Sequence, residues 1–280
     1  MRVTVTGASS LGGVEVTRRL AAAGHRVRRT TSLSRSGTGR EATREQVALD
    51  FLRPGTLRRA FEGADAAVII TPEQSAMVRM TANLTAAAER AGCEHLVQVS
   101  LLRDDSGPAG LLKEWHLEAE RVVRDSPVAS TCLRPNHYMQ SWLLGQAPFA
   151  ALGGGRVSYV DARDVAEVVV RVVSEPGHDG KTYSLTGPRA LSLEEVTELL
   201  EYAPGGPMDA PGLGWRHHCV EERRSGHSLL DQALCEYWIA ESEDHFAVVT
   251  PDVERLTGHA PRDFLSLVLE RRRRRPRYEG

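Results

Sequence analysis

From Arg2 to Pro135 the chain alternates short apolar runs with helical patterns, and this alternation restricts the fold more than any other feature of the sequence. "RVTVTG" reads as a buried strand. "GVEVTRRLAAAGH" follows as a helix, with Val14, Thr17, Leu20 and Ala21 on one face and Gly24 as its stop. "HRVRRTT", "QVALDF", "DAAVIITP", "HLVQVSLL" and "VASTCLRP" read as further strands. Between them lie "PGTLRRAFEG", with Pro54 at a helix start and Gly63 at its end, a long helix from about Glu73 to Gly92, and another around Leu111 to Arg124. Helices between strands are the crossovers that parallel pairing needs. The pattern therefore predicts an α/β fold, a doubly wound parallel sheet covered on both faces.

Beyond Pro135 the pattern loosens. "SYVDARDVAEVVVRVVSE" reads as a strand end opening a helix whose apolar stripe is Val165, Val168, Val169 and Val172, and "KTYSLTG" as another short strand. "SLEEVTELLEY" begins with a capping box, Ser192 at the N-cap and Glu195 three residues on. After the loop "APGGPMDAPGLGW" come mostly helical patterns, including "LLDQALCEYWIAE" and "DFLSLVLERR". Residues 1–150 are expected to form the main domain. Residues 151–280 are expected to form a smaller, mostly helical substrate-side cap interleaved with it, beside the strand ends where open α/β sheets bind ligands.

The first turn sharpens this expectation. In "VTGASSLGGVEV", Gly7 directly follows the first strand, where a tight turn needs an unhindered backbone, and Gly13 lies near the helix start, where a missing side chain permits close packing or phosphate approach. The helix N-terminus offers free N–H groups and the positive end of a dipole to a diphosphate. At the first βα junction of an alternating chain, this turn points to a dinucleotide site and a Rossmann-like domain. The second strand runs into "RRTTSLSRSGTGR", with no acid between Arg26 and Arg40 to take a ribose 2′-hydroxyl. Arg28, Arg29 and Arg35 with the hydroxyls of Ser32 and Ser34 suit a 2′-phosphate instead, so NADP is expected ahead of NAD. The alternative is a surface loop that happens to be basic.

Composition narrows the partners. A formal net charge of −2 over 280 residues argues against general attraction to nucleic acid, and "RRRRRPR" near the C-terminus reads as a solvated end. Cys93, Cys132, Cys219 and Cys235 form no CxxC pair, which suits a reducing compartment with neither disulfides nor zinc. No signal peptide precedes the first strand and no apolar run approaches ~18 residues, so a cytoplasmic chain without a membrane span is expected. The oligomeric state is left open.

In order and spacing, "TGASSLGG", "GHRVR", "ALDFLRPGTLRRAFEGADAAVIITP", "CEHLVQVSLL", "HLEAERVVRDSPVASTCLRPNHYMQSW", "YVDARDVAEVV", "KTYSLTGPRALSLEEV" and "TPDVERLTGHAPRDF" resemble one family. It is the NmrA-like and isoflavone-reductase-like branch of the atypical short-chain dehydrogenases/reductases, and the resemblance spans nearly the whole chain. It implies that Gly7, Ser9, Ser10, Leu11 and Gly13 line a cofactor diphosphate, that Asp50 and Phe51 lie beside the adenine, and that Ile70, Thr71 and Pro72 flank the ribose and nicotinamide. It also implies that Ser100 ends the fifth strand near the nicotinamide. Ser10 departs from the family, which usually has glycine there. A larger departure concerns the Tyr-x-x-x-Lys pair of ordinary short-chain dehydrogenases, whose positions here fall on Leu112 and His116. The family contains both reductases and redox sensors without turnover.

The remaining candidates come from side-chain chemistry. An imidazole with an unperturbed pKa of ~6.5 suits proton transfer near neutrality, which makes His116 the candidate proton donor and Lys113, three residues earlier, a candidate helper. The alternatives are a helix histidine contacting Glu120 and an exposed lysine. In "LRPNHYMQSW", Asn136, His137, Tyr138 and Trp142 are candidate substrate contacts, with packing against the cap as the alternative for the aromatic groups. Asp161 and Asp164 are read as capping and cap-tying groups rather than acids, and His217, His218 and Cys219 as poor metal geometry. Together these residues predict an NADPH-dependent reductase of a small apolar electrophile (a quinone, enone, imine or carbonyl). The alternative is a non-catalytic NADP-sensing regulator.

Overall fold

The computed structural model describes residues 1–32, 46–104, 107, 109–144, 155–201 and 228–274. Among these, β1 (Arg2–Val5), β2 (Arg26–Ser32), β3 (Gln46–Leu49), β4 (Ala66–Ile69), β5 (His95–Val99), β6 (Ala129–Pro135) and β7 (Thr182–Leu185) form one 7-stranded sheet in the order β3-β2-β1-β4-β5-β6-β7. Every pairing is parallel. The connections are α1 (Leu11–Ala22), a 3₁₀ turn (Pro54–Thr56) with α2 (Arg58–Phe61), α3 (Met77–Arg90), α4 (Leu111–Arg124), α5 (Met139–Leu143) and α6 (Ala162–Ser174). The cap adds α7 (Leu193–Glu201), α8 (Leu229–Ser242), α9 (Asp252–Thr257) and α10 (Phe264–Arg274).

Both sheet faces are buried, as runs without polar alternation require. Along β4, Ala66 and Val68 join the layer under α1 and α6, while Ala67 and Ile69 join the opposite layer under α2 and α3. Val165, Val168, Val169 and Val172 of α6 are all fully buried. Each such valine contributes roughly 1.5–3 kcal/mol of transfer free energy. The capping box at α7 closes in both directions, with Ser192 N–H donating to Glu195 at 2.8 Å and Glu195 N–H donating to Ser192 Oγ at 3.3 Å.

Three local expectations need correction. The buried stripe of α1 is Gly12, Gly13, Val16 and Leu20, whereas Val14 is half-exposed. The helix is rotated because its two glycines, rather than Val14, press against the first turn. "PGTLRRAFEG" is not one helix but a 3₁₀ turn and a single α-turn, and α3 begins at Met77, after the bend and turn that follow Pro72.

The last strand and α6 come from beyond residue 150, so one core layer mixes Val3 and Val5 with Val160 and Leu185. The rest of the C-terminal part packs a second layer of Leu191, Val196, Tyr237, Phe246 and Phe264 over the strand ends. Asp161 caps α6 by accepting from Arg163 N–H at 2.8 Å, and it also takes Gln140 at 2.7 Å. Asp164 takes the backbone N–H and guanidinium of Arg262, and Glu167 takes Arg19, Arg262 and His259. These two aspartates fasten helix starts and cap, as their sequence context suggests. Among the described residues no helix is long and apolar enough to cross a membrane. Cys219, His217, His218, Arg35, Ser34 and the C-terminal arginines from 275 on lie outside the described residues.

Candidate active site

Strand order reverses between β1 and β4, and the cleft opens there, beyond the carboxyl ends of the strands. Its first chamber, about 480 Å³, is bounded by the β1–α1 turn, the ends of β2 and β3, and the segment after β4. Gly7 sits in the left-handed region at φ +59°, and a Cβ there would lie 2.8 Å from the Ile70 carbonyl oxygen. A Cβ on Gly13 would lie 2.2 Å from the Gly7 carbonyl oxygen. The turn and helix therefore close on each other only as glycines.

Ser10 has a defined job in this turn. It is the N-cap of α1, and its Oγ accepts from Gly13 N–H at 3.1 Å. The N–H groups of Leu11 and Gly12 remain as first-turn donors to an anion. Ser9, Ser10, Asp50 and Phe51 line this chamber, and at its far end so do Thr30, Thr31 and Ser32. Asp50 is held by accepting from Leu52 N–H at 2.9 Å, and Asn83 donates to the Phe51 carbonyl at 2.9 Å. Arg28 does not face the chamber. It donates to the carbonyls of Ala60 at 3.1 Å and Glu62 at 2.7 Å, at the end of α2.

Ile70, Thr71 and Pro72 wall both this chamber and a second one of about 360 Å³, which Leu11, Ser100, His116, Asn136, His137 and Tyr138 also line. Leu234, Tyr237 and Trp238 of α8 close it from the cap side. At its base is a buried relay. Glu120 accepts from Arg103 at 2.5 and 3.0 Å, from Arg134 at 2.8 and 3.1 Å, and from the Ser100 hydroxyl at 2.6 Å. Burial raises the Glu120 pKa, but the two guanidiniums and the hydroxyl outweigh it and hold the carboxyl at about 2. Because the Ser100 hydrogen goes to this carboxylate, its oxygen must accept from His116 Nδ1–H, 3.1 Å away. Nδ1 therefore keeps its hydrogen in both charge states of the ring, and Nε2, turned away from the relay, is where the second proton of the imidazolium is carried and released.

His116 Nε2 has no hydrogen-bond partner among the described residues, and Glu73 Oε1 lies 3.9 Å from it. Desolvation opposes charge on Glu73, yet the adjacent His116 ring and, more weakly, His137 outweigh it and hold this carboxyl below the ordinary range. Burial lowers the His137 pKa to about 4 despite Glu73, so this ring is neutral at physiological pH. Burial also raises the Tyr138 phenol well above its ordinary value.

Two sequence candidates point away from the chamber, and a third lines it with its amide engaged elsewhere. Lys113 points away from the chamber, its Nζ donating to the carbonyls of Asp104 at 2.8 Å and Gly107 at 2.9 Å, so the helical spacing to His116 does not bring the two heads together. Trp142 is 1% exposed and packs edge-on to Tyr159 in the cap core, with its ring centroid 6.0 Å away. Asn136 lines the chamber, but its amide donates to Ser158 at 2.8 Å and to the Phe246 carbonyl at 3.0 Å, which ties the loop after β6 to the cap. Glu73, Arg103 and Arg134 have no functional place in the sequence reading, and Glu120 enters it only as a contact of His116. Glu73 stands directly after the Thr71-Pro72 pair, and Glu120 lies one helical turn beyond His116, which are the signals that mark them.

Known proteins resemble this chain in sequence and fold. Residues 7–176 match the NAD(P)H-binding family. The NAD(P)H azoreductase of Xenophilus azovorans is 33% identical over 229 residues, 79% of this chain and 80% of that protein. The (4-alkanoyl-5-oxo-2,5-dihydrofuran-3-yl)methyl phosphate reductase of Streptomyces griseus is 32% identical over 282 residues, 94% and 95% of the two chains. An NADPH-dependent quinone oxidoreductase from Escherichia coli, solved with NADPH, has the same fold at a TM-score of 0.75 and 23% identity, over 96% of this chain and 99% of that one. The chain belongs to the NAD(P)H-binding family.

Proposed function

We propose that the protein is an NADPH-dependent reductase of small apolar electrophiles that need a proton as well as a hydride, such as quinones and enones. The observation that carries this reading is the His116 ring, fixed at Nδ1 by Ser100 and presenting an unpartnered Nε2 at the second chamber. The first chamber fits a dinucleotide: the glycine turn would be filled by any Cβ, and two first-turn N–H groups are left for a diphosphate. Gly7, Ser9, Ser10, Leu11 and Gly13 would hold that diphosphate, Asp50 and Phe51 the adenine, and Ile70, Thr71 and Pro72 the ribose beside the nicotinamide. The reduced nicotinamide supplies the hydride.

The protein's part is then positioning, exclusion of water and one proton. Tyr138, Tyr237 and Trp238 offer flat apolar walls to a ring-shaped acceptor, and a chamber of about 360 Å³ suits one of modest size. When hydride arrival leaves negative charge on the acceptor oxygen, the proton on His116 Nε2 goes to that oxygen and the electron pair stays on the nitrogen. Leu112, at the position of the tyrosine of ordinary short-chain dehydrogenases, is 2% exposed and contributes no proton. Preference for the 2′-phosphate rests on the hydroxyls of Thr30, Thr31 and Ser32 and on the lack of any carboxylate along β2.

The test is NADPH oxidation with a panel of quinones and enones. Turnover is expected, and His116→Ala should lower kcat on the order of a hundredfold. Tight NADP⁺ binding without turnover of any acceptor would overturn the enzyme reading in favour of a nucleotide-sensing regulator, and tighter NADH than NADPH binding would overturn the cofactor preference.

A further inference from the structure

We infer that Glu73 is the group through which His116 exchanges protons with solvent, an assignment that rests on His116 being the proton donor proposed above. After each turnover Nε2 has lost its proton and must regain one. The inner side of the ring offers no path. Nδ1 is bound to Ser100, the Ser100 hydroxyl to Glu120, and Glu120 to two guanidiniums; Ser100, Glu120 and Arg103 are buried, and the Arg134 side chain is 15% exposed. A carboxyl held at about 2 carries no proton at neutral pH.

The outer side is different. The Glu73 side chain is 43% exposed, that of His116 only 5%, and the two meet across 3.9 Å. That separation exceeds a hydrogen bond and is spanned by one water or a small rotation of the carboxylate. The other titratable groups facing the pair do not compete. His137, after β6, is neutral at physiological pH, Tyr138 is held protonated, and Arg103 and Arg134 are spent on Glu120. Tyr237, from α8, lines the same chamber.

The balance closes. With hydride, one proton and two electrons, supplied by a bound reduced nicotinamide, Nε2–H of the imidazolium would give its proton to the acceptor oxygen and keep the electron pair. A proton from water then lands on the Glu73 carboxylate and passes to the Nε2 lone pair, which returns Glu73 to its charged form.

Two measurements on full-length protein test the assignment. In the cofactor-free protein, ¹⁵N NMR reads exchange of the His116 Nε2 proton with water, which Glu73→Gln should slow about tenfold. In steady state, Glu73→Gln should cut kcat for a quinone about tenfold more than kcat for an N-alkyl iminium cation, which takes hydride and no proton. Formate in the buffer should restore part of the quinone rate. Unchanged exchange, or equal losses on both acceptors, overturns the relay while a His116→Ala defect confined to the quinone keeps the reductase reading. A protein that turns over neither acceptor overturns both.

Discussion

In the first chamber the working surface is main chain and small groups: the Gly7 turn, the N–H groups of Leu11 and Gly12, and the hydroxyls of Ser9, Thr30 and Ser32. In the second it is long side chains brought from separate elements, His116 from α4, Glu73 from the segment after β4, Tyr138 after β6, and Tyr237 and Trp238 from α8. The contrast follows from what each chamber recognises. A diphosphate is one invariant shape, served by backbone geometry that tolerates no substitution. An acceptor is one of many shapes, served by side chains that a helix can exchange without moving the sheet. The two halves should therefore fail in different ways when changed.

The largest effect is expected at the base of the second chamber. Glu120→Leu leaves Arg103 and Arg134 without their shared carboxylate, and loss of one partner of a buried ionic cluster costs roughly 3–5 kcal/mol. Urea unfolding reads this directly, and a change within about 1 kcal/mol, the scale of a surface pair, would show that the cluster is not the prop of that half.

Acid comes next. His137 is neutral in the folded protein down to about 4, whereas an unfolded histidine takes its proton near ~6.5. Its contribution is complete above ~6.5 and is lost as pH falls towards 4, on the order of 3 kcal/mol in all. Thermal unfolding of His137→Gln across that window should show a shallower acid slope than the parent. Identical slopes would place the acid sensitivity elsewhere.

The smallest effect belongs to the first chamber. Ser10→Gly exchanges one N-cap for another and should cost only a few tenths of a kcal/mol. It also releases Gly13 N–H from Ser10 Oγ, so calorimetry should find NADPH binding unchanged or slightly tighter. A large loss would mean that the serine hydroxyl itself contacts the cofactor.

The same contrast explains what was legible in the sequence. Every strand, the turn at Gly7, the α6 stripe and the Ser192–Glu195 box are local, written in periodicity or in residues a few places apart. Asp50, Phe51, Ile70, Thr71 and Pro72 follow strands directly, so placing the strands places them as well. The second chamber is assembled from residues far apart in sequence. Whether Lys113 or Ser100 meets the neighbourhood of His116 depends on where the loop from Leu101 to Gly110 runs, and the Lys113 ammonium takes that loop's carbonyls instead. Trp142 looks like a pocket aromatic in sequence, but α5 turns its face to Tyr159. Ser10, which breaks the glycine pattern, is explained by a hydrogen bond within a single turn.

The position of β7 has a consequence for the chain as it is made. β6 ends at Pro135, and its outer edge is covered only when Thr182–Leu185 has been synthesised and returned to it. At ordinary translation rates of ~5–20 residues per second, a nascent sheet with one side of β6 bare persists for several seconds. An open edge of that kind pairs readily with a second chain. A pause of the ribosome between those two strands would lengthen that exposure.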